Sequence, residues 1–343
     1  MRVLVMGATG LVGQELLAIL EQRRFPLTDL VAVASAASAG RTLKACGRTL
    51  TVQGLDPGLF QPGDLVFFTG HDDLAAELVP RAVAAGSTVI DNSATFRMAP
   101  QVPLVIPEIN GPEARRHAGL IANPNCTTAT FILPLAPIHR NWGLQWATVA
   151  SYQAISGAGR APYEEFKADA TAAIGRGIAA LDPARLAFNL IPQIGGVGDD
   201  GVTSEERKMT LETRKMLGDP TIDLAGTAVR VPVLVGHACA VHLRTRDPLP
   251  PVEEVTATIA DQPGVVLASL PNPVQAMGTD PVYVGRIRRF DDHTLGFFCV
   301  ADNLRKGAAL NAVQIAEYLL AHDALHPRPA TTAADEPDRA AVS

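Results

Sequence analysis

A glycine-rich turn close to the N-terminus constrains the fold of this chain more than any other feature. The strand-like run Arg2–Val5 leads into Gly7-Ala-Thr-Gly10-Leu-Val-Gly13, and apolar residues then recur at helical spacing as far as Arg23. A strand that passes through small residues into a helix is the geometry of a dinucleotide site, because the amides at the helix N-terminus face the diphosphate. The spacing GxxGxxG is a variant of the usual fingerprint, and a plain packing loop is the alternative.

Strands and helices alternate through the first third of the chain. Further strands are predicted at Leu30–Ala34, Asp64–Thr69 and Thr88–Ile90, with a helix at Asp72–Ala85. This alternation is typical of a doubly wound parallel sheet, so the sequence predicts an α/β Rossmann domain.

The rest of the chain predicts an α+β domain. The predicted strands are Leu144–Ser151, Ala228–Val235, Pro281–Arg289 and Leu295–Val300, and the predicted helices are Tyr163–Ala180 and Thr203–Leu217. Thr203 and Glu206 form a capping box that supports the start of the second of these helices. A last helix is predicted over Arg305–His322, and residues 326–343 are rich in Pro, Ala, Thr and charge, which is typical of disorder.

Composition and charge argue against several classes of protein. A net charge of −6 and a pI of about 5.8 disfavour a surface for nucleic acid or anionic membranes. The chain has no apolar run of about 18 residues that would predict a transmembrane helix, and its start does not resemble a secretory signal. The four cysteines (Cys46, Cys126, Cys239 and Cys299) form no CxxC pair, which favours a reducing, cytoplasmic compartment.

The loop after the second predicted strand indicates which dinucleotide is bound. A fold that prefers NAD usually places an acidic residue there for the ribose hydroxyls. This loop has no acid and offers Ser35, Ser38 and Arg41 instead, which suits a 2′-phosphate. The sequence therefore predicts NADP, and a polar loop without a cofactor role is the alternative.

Cys126 has the surroundings of a reactive thiol. It follows Asn123-Pro-Asn125 and precedes an apolar segment, Ala129–Ile138, so it is predicted at a helix N-terminus. The unpaired amides and the dipole there are expected to lower the pKa of the thiol and to stabilise an oxyanion on an attacked carbonyl. The alternative for a lone cysteine is a small buried hydrophobe, which is the role predicted for Cys46 and Cys299.

Several motifs make the chain resemble the aspartate-semialdehyde dehydrogenase family. They are PNCTT around Cys126, SYQAISGAGR (Ser151–Arg160), RVPVLVGHA (Arg230–Ala238), the N-terminal GATGLVGQELL, DNSATFR (Asp91–Arg97), EERKM (Glu205–Met209) and DNLRKGAALNAVQIAE (Asp302–Glu317). The resemblance runs from residue 1 to about residue 322. It implies a Rossmann domain formed by residues 1–126 and 303–325, and a catalytic and dimerisation domain formed by residues 127–302.

The resemblance implies an activity as well as a fold. The family reduces 4-phospho-L-aspartate with NADPH to L-aspartate 4-semialdehyde and phosphate, in the biosynthesis of lysine and diaminopimelate, threonine, methionine and isoleucine. Cys126 would be the nucleophile that forms a thioester, His237 the acid and base, and Gln153 the residue that positions the acyl group. The cofactor contacts would be Gly7, Thr9, Gly10, Leu11, Val12, Gly13, Ser35, Ser38, Arg41, Ser156, Gly157 and Asn303.

The charged groups of the substrate have implied partners too. Arg230 would bind the α-carboxylate bidentately. Arg97, Asn125 and Lys208 would bind the phosphate, and Glu205 would meet the ammonium group. Glu205 and Lys208 are three residues apart on a predicted helix, so they face the same side, although a surface ion pair is the alternative. The family also implies a homodimer or homotetramer.

Strand geometry and two departures from the family motifs complicate the implied site. Arg230 and His237 would point to opposite faces of an unbroken strand, so Gly236 must supply a bend if both reach one site. The family commonly has Ser-Glu after the histidine where this chain has Ala238-Cys239, and an arginine where it has Ala37. No second set of ligands at metal-site spacing accompanies His237, Cys239 and His242, so no metal is predicted.

Two other functions are compatible with parts of the sequence. N-acetylglutamyl-phosphate reductases and glyceraldehyde-phosphate dehydrogenases share the fold and a nucleophilic cysteine, and an assay with a panel of substrates separates them. A non-catalytic NADP-binding protein would be expected to lose the thiol or the imidazole, but Cys126 and His237 are both present.

Overall fold

The first sheet has five parallel strands with helices on both faces. The computed structural model describes residues 1–56, 58–176 and 182–326. The strands of this half are β1 (Arg2–Met6), β2 (Asp29–Val33), β3 (Thr42–Ala45), β4 (Arg48–Thr51), β5 (Leu65–Phe68), β6 (Thr88–Asp91) and β7 (Leu120–Ala122), and its helices are α1 (Leu11–Gln22), α2 (Asp72–Ala84) and α3 (Pro107–Asn110). The sheet has the order β2-β1-β5-β6-β7, and β3 and β4 form a separate hairpin. Because β2 and β5 flank β1, a crevice opens at the switch point above the glycine loop.

The second sheet has six strands and is mixed. Its half of the chain contains α4 (Cys126–Trp142), β8 (Leu144–Gln153), α5 (Arg160–Arg176), α6 (Ser204–Leu217), β9 (Asp223–Arg230), β10 (His237–Thr245), α7 (Val252–Ala260), β11 (Val265–Leu267), α8 (Pro273–Ala276), β12 (Val282–Arg289), β13 (Thr294–Ala301) and α9 (Leu310–Ala321). The order is β11-β12-β13-β10-β8-β9, with parallel pairs at the two edges and antiparallel pairs between them. The predicted combination of a Rossmann sheet and an α+β domain is confirmed.

Each sheet buries apolar side chains against helices. In the first sheet, Val3 and Val5 pack with α1 and α9, while Leu4 and Met6 pack with α2 on the opposite face. The second sheet buries one face against α4, α6 and α7. The alternation of inward and outward residues along β1 is thus what separates the two cores of the first domain.

Most predicted elements lie within a few residues of their observed positions, but one strand is wrong. The predicted strand Ala228–Val235 is instead β9, which ends at Arg230. Pro232 has no N–H to donate to a strand ladder, so the valine-rich run after Arg230 is irregular.

The last helix differs from its prediction at its start, and two other predicted segments extend beyond the described residues. The last helix begins with a π-turn, Arg305–Ala309, before α9. The end of the predicted helix Tyr163–Ala180, and all but the first residue of the predicted disordered tail 326–343, lie outside the described residues.

Candidate active site

A cleft of about 1070 Å³ lies between the two domains. Sixteen of the predicted site residues line it: Gly7, Thr9, Gly10, Leu11, Val12, Gly13, Ser35, Arg97, Asn125, Cys126, Ser156, Gly157, Glu205, Lys208, Arg230 and Asn303. Four do not line it: Ser38, Arg41, Gln153 and His237. The glycine loop and Cys126 therefore share one cavity, which is the geometry that a reaction between a bound dinucleotide and a cysteine adduct requires.

The glycine loop is shaped for close approach. Gly7 has a φ of +82°, and a Cβ at this position would lie 2.6 Å from Oγ1 of Thr69. A Cβ at Gly13 would lie 2.2 Å from the carbonyl oxygen of Gly7, so this glycine lets α1 pack directly on the turn. Gly10 is the N-cap of α1 and directs the first amides of the helix towards the cleft. These residues fit a diphosphate.

The predicted 2′-phosphate residues are only partly in place. Ser35 lines the cleft. The Oγ of Ser38 accepts a hydrogen bond of 3.4 Å from Oγ1 of Thr9, beside the glycine loop. Arg41 is exposed and lies outside the lining of the cleft.

Cys126 is the first residue of α4, as predicted. Asn125 is the N-cap, and its Oδ1 accepts from the amides of Thr127 at 2.9 Å and Thr128 at 3.1 Å. The amide of Ala129 donates to the carbonyl of Asn125 at 2.8 Å. Within the part of the chain that the structure describes, the N–H of Cys126 is thus the first-turn amide left for an oxyanion, rather than the several amides expected.

The thiol of Cys126 is not acidified in this arrangement. Burial raises its pKa to about 11, Glu205 adds to the rise, and Arg97, Arg230 and Lys208 oppose it. The expectation of a lowered pKa is wrong, because desolvation of the sulfur outweighs the surrounding cations. The thiol is therefore protonated at neutral pH.

This protonation state predicts a steep pH dependence of alkylation. Only the thiolate reacts with iodoacetamide, and the thiolate fraction rises about tenfold per pH unit below the pKa. We expect the alkylation rate of Cys126, followed by peptide mass spectrometry, to rise in this way from pH 7 to 9 without a plateau. A plateau below pH 8 would contradict the raised pKa.

A π-turn packs against the nucleophile. A Cβ at Gly307 would lie 2.9 Å from the Cβ of Cys126, so glycine is required there. The neighbouring Lys306 is buried, and its Nζ donates to both carboxylate oxygens of Glu108 at 2.8 and 2.7 Å. Lys306 and Gly307 lie within the DNLRKGAALN stretch, but no local pattern there predicted a role at the site for them.

Glu205 is the centre of a buried hydrogen-bond network. Its Oε1 accepts from Nδ2 of Asn125 at 2.8 Å and from Nε2 of Gln153 at 3.3 Å. Its Oε2 pairs with Nζ of Lys208 at 3.3 Å, so the predicted placement of Glu205 and Lys208 on one side of α6 is confirmed. The capping box of Thr203 that starts this helix is confirmed too.

Arg97 belongs to a second network that the sequence analysis missed. Its Nη1 pairs at 3.0 Å with Glu212, a buried residue of α6 that lies seven positions after Glu205 and therefore on the same helical face. The other carboxylate oxygen of Glu212 accepts from the amide of Asn125 at 2.7 Å. Arg97 also donates to the carbonyls of Asn92 and Asn123 at 2.7 and 2.9 Å. Two of its five N–H groups therefore remain for a ligand.

Arg230 and His237 converge because strand β8 lies between their strands. Arg230 ends β9 and His237 begins β10, and the bend predicted at Gly236 is present, with a φ of +103°. Ala154 joins the two side chains: its carbonyl accepts from Nη1 of Arg230 at 2.7 Å, and its amide donates to Nδ1 of His237 at 3.1 Å. A Cβ at Gly157 would lie 3.0 Å from Nε2 of His237 and 3.1 Å from Nη1 of Arg230.

His237 is neutral and presents an N–H group. Burial lowers its pKa well below the usual value, and the charge of Arg230 lowers it further. Since Nδ1 accepts from the amide of Ala154, the neutral ring carries its proton on Nε2. Nε2 is buried without a hydrogen-bond partner among the described residues, next to Gly157 in the lining of the cleft.

Asn303 connects the two sides of the cleft. Its Oδ1 accepts from Oγ of Ser156 at 3.0 Å and from the amide of Gly236 at 2.8 Å. It therefore fixes the bend before His237 as well as lining the predicted cofactor site.

The other cysteines differ from their predicted burial in one case. Cys299 is buried, as predicted. It lies opposite Cys239 in the register of β10 and β13, and both are free thiols. Cys46 is only half-buried and has a φ of +53°, because it forms a tight turn with Gly47 between β3 and β4. Cys46 still packs against the apolar core of the first domain, so its predicted hydrophobic role is confirmed and its full burial is not.

Comparison with known proteins identifies the family to which this fold belongs. A family model for the NAD binding domain of semialdehyde dehydrogenases matches residues 2–117, and a model for their dimerisation domain matches residues 135–306. The class is therefore that of the semialdehyde dehydrogenases. The aspartate-semialdehyde dehydrogenase of Shewanella violacea is 41% identical over 331 residues, covering 93% of this chain and 97% of that protein. That of Synechocystis sp. is 43% identical over 329 residues, with 93% and 97% covered.

A solved structure agrees with these relatives. The aspartate semialdehyde dehydrogenase II of Vibrio cholerae, complexed with ASA, has a TM-score of 0.87 and 40% identity, and the match covers 93% of this chain and 98% of that one. The chain belongs to the aspartate-semialdehyde dehydrogenase family, and the resemblance drawn from its motifs is confirmed. The matches do not favour an N-acetylglutamyl-phosphate reductase. None of the described helices is both long and apolar enough to cross a membrane.

Proposed function

We propose that this protein reduces 4-phospho-L-aspartate with NADPH to L-aspartate 4-semialdehyde and phosphate, through a thioester on Cys126. The observation that carries the proposal is the placement of Cys126 at the start of α4, in one cleft with the glycine loop and with Arg97, Lys208 and Arg230. The pathways served would be those to lysine and diaminopimelate, threonine, methionine and isoleucine, in the cytoplasm.

The residues divide the reaction into two steps. The sulfur of Cys126 attacks the acyl carbon, the bond from that carbon to the phosphate oxygen breaks, and the departing phosphate takes up the thiol proton. The N–H of Cys126 stabilises the oxyanion of the tetrahedral adduct. Bound NADPH supplies the hydride that reduces the thioester. The N–H of Cys126 and Nε2–H of His237 would hydrogen-bond the thiohemiacetal oxyanion. Its collapse to the aldehyde breaks the carbon–sulfur bond, the sulfur takes the proton from Nε2 of His237, and the ring regains a proton from solvent.

Different residues would hold the two anionic groups of the substrate. Arg230 is fixed by Ala154 next to His237, where a bidentate carboxylate contact would align the acyl carbon with the thiol. Lys208 keeps about a third of its side chain exposed (32%), and Arg97 has two N–H groups left, so both could meet a phosphate. Glu205 would receive the ammonium group, and its carboxylate accepts hydrogen bonds from Asn125 and Gln153. Asn125 has one N–H of Nδ2 left for the phosphate, and Gln153 would still position the acyl group.

NADP is the cofactor that the end of β2 favours. We expect kcat/KM for NADP to exceed that for NAD by about tenfold or more, because no acid follows β2 and a 2′-phosphate can gain a charged hydrogen bond from this loop. Initial rates with each cofactor at saturating semialdehyde and phosphate measure the ratio. Equal or better use of NAD would mean that the loop with Ser35, Ser38 and Arg41 has been misinterpreted.

We also propose that the second domain forms a homodimer, which could associate into a homotetramer. Trp146 and Tyr152 lie on the sheet face opposite the buried one, with 36% and 39% of their surfaces exposed. The rings of Phe298 and Tyr152 pack together there, with their centroids 6.2 Å apart. The family model that matches this region describes a dimerisation domain.

The proposed domain division assigns residues 1–126 and 303–325 to the first domain and residues 127–302 to the second. Packing of α9 against α1 supports the return of the chain to the first domain.

A steady-state assay tests the proposed function. The purified protein is given aspartate semialdehyde, phosphate and NADP, and NADPH formation is followed. A parallel panel contains N-acetylglutamate semialdehyde and glyceraldehyde 3-phosphate at the same concentrations. Turnover confined to aspartate semialdehyde supports the proposal, and preference for another aldehyde rejects it.

A further inference from the structure

Arg160 reaches from the second domain across the cleft to the glycine loop of the first. It is the exposed first residue of α5, directly after Gly159, whose φ is +96°. Its Nε donates to the carbonyl oxygen of Thr9 at 3.0 Å, and its Nη2 donates to Oε1 of Gln14 at 2.6 Å. Both acceptors are uncharged, so these contacts leave the positive charge of the guanidinium uncompensated.

The charge of Arg160 is placed differently from the other cations of the cleft. The charges of Arg97, Lys208 and Arg230 each lower the pKa of the Cys126 thiol, whereas Arg160 is not among the charges that do so. Within residues 1–56, 58–176 and 182–326, Arg160 forms no salt bridge. Among the arginines and lysines that line the cleft in these residues, it alone donates a side-chain hydrogen bond to the glycine loop.

A diphosphate on this loop would meet dipoles from the first domain and a charge from the second. The amides at the start of α1 offer partial charges, which do not neutralise two phosphate groups. The acidic side chains of the lining are Asp72 and Asp73 at the start of α2, and Glu205 on α6. Asp72 accepts from the amide of Ala94 at 2.8 Å, and Glu205 pairs with Lys208. A guanidinium binds phosphate oxygens bidentately and more strongly than it binds a carbonyl or an amide oxygen.

We propose that Arg160 is the counter-cation of the cofactor diphosphate, supplied by the second domain to a site that the first domain otherwise builds. When the dinucleotide binds, the guanidinium exchanges the Thr9 carbonyl and the Gln14 amide for phosphate oxygens. This proposal rests on the dinucleotide cofactor of the proposed function. It does not depend on which aldehyde is the substrate.

Binding measurements on the full chain test the proposal. Calorimetry gives Kd for NADP and for adenosine 2′-monophosphate, which lacks the diphosphate, in the wild type and in Arg160→Ala. We expect Arg160→Ala to weaken NADP binding by about tenfold or more, because a charged hydrogen bond to phosphate is lost, and to change adenosine 2′-monophosphate binding by less than about twofold. Arg160→Lys keeps the positive charge but lacks the planar guanidinium that binds bidentately, so it should recover part of the lost affinity.

Two matched variants separate a counter-cation from a structural tie. Gln14→Ala removes one of the two present contacts of Arg160 and should change NADP affinity by less than about threefold. Arg116→Ala removes an arginine whose side chain is 76% exposed outside the cleft, and should have no effect. The proposal is overturned if Arg160→Ala binds NADP as the wild type does, if it weakens both ligands equally, or if Gln14→Ala reproduces its effect.

The same design distinguishes failure of this proposal from failure of the proposed function. If the wild type prefers NAD, the comparison is made with NAD and adenosine, which carries no phosphate, since the diphosphate is common to both cofactors. A wild type that binds neither dinucleotide overturns both proposals. A wild type that binds NADP without oxidising aspartate semialdehyde rejects the proposed substrate alone.

Discussion

Cys126→Ala is expected to lower kcat by roughly three orders of magnitude or more, because no other group can form the thioester. Its backbone stays in place, since Asn125 caps α4 through the amides of Thr127 and Thr128 and not through the thiol. The affinity for NADP should therefore remain within about twofold of the wild type. Steady-state rates and calorimetry on the same preparation measure the two quantities.

Cys46→Ala is the matched control for this substitution. Cys46 is a half-buried thiol in the turn between β3 and β4, outside the lining of the cleft, so its loss should leave kcat unchanged. Retention of more than about a tenth of wild-type activity in Cys126→Ala would show that another group carries the acyl intermediate.

Local patterns in the sequence predicted the parts of the site that depend on neighbouring residues. The glycine loop, the start of α4 at Cys126 and the Glu205–Lys208 pair each follow from a spacing within one element. Propensity, capping and helical periodicity act over a few residues, so a single sequence is sufficient to find them.

The parts that depend on long-range pairing could not be predicted in this way. Gly236 indicated a bend, but the convergence of Arg230 and His237 also requires β8 to lie between β9 and β10. The end of β9 was misplaced because its valines outweighed the missing N–H of Pro232. Glu212 had a helical signal, seven positions after Glu205, but its partners Arg97 and Asn125 come from distant segments.

The protonation states were the least predictable feature. A helix N-terminus argued for a thiolate, yet burial raises the pKa of Cys126 to about 11, and the nearby cations Arg97, Arg230 and Lys208 do not offset it. Desolvation depends on how completely the fold covers the sulfur, which no local pattern shows. Burial likewise lowers the pKa of His237, so both groups are neutral in this arrangement.

Separate substitutions at the two anion sites should separate two steps of the reaction. In the reverse direction without phosphate, semialdehyde and NADP give one burst of NADPH as the acyl-enzyme forms. We expect Arg230→Ala to reduce this burst rate by about thirtyfold or more, since losing a charged hydrogen bond to the α-carboxylate costs about 2–4 kcal/mol. We expect Lys208→Ala to preserve the burst and to raise KM for phosphate by a similar factor. Rapid-mixing absorbance and steady-state titration with phosphate measure the two effects.

The structure gives a reason for this separation and a control for it. Arg230 is held by Ala154 beside His237, where semialdehyde must bind before hydride transfer. Among the described residues, Nζ of Lys208 hydrogen-bonds only Glu205, and the side chain is partly exposed. Lys167→Ala removes an exposed lysine of α5 that pairs with Glu164, and should change neither quantity. Arsenate in place of phosphate should leave the defect of Arg230→Ala unchanged, because both assays need the semialdehyde bound. Loss of the burst in Lys208→Ala, with a normal burst in Arg230→Ala, would show that the carboxylate and phosphate sites are assigned the wrong way round.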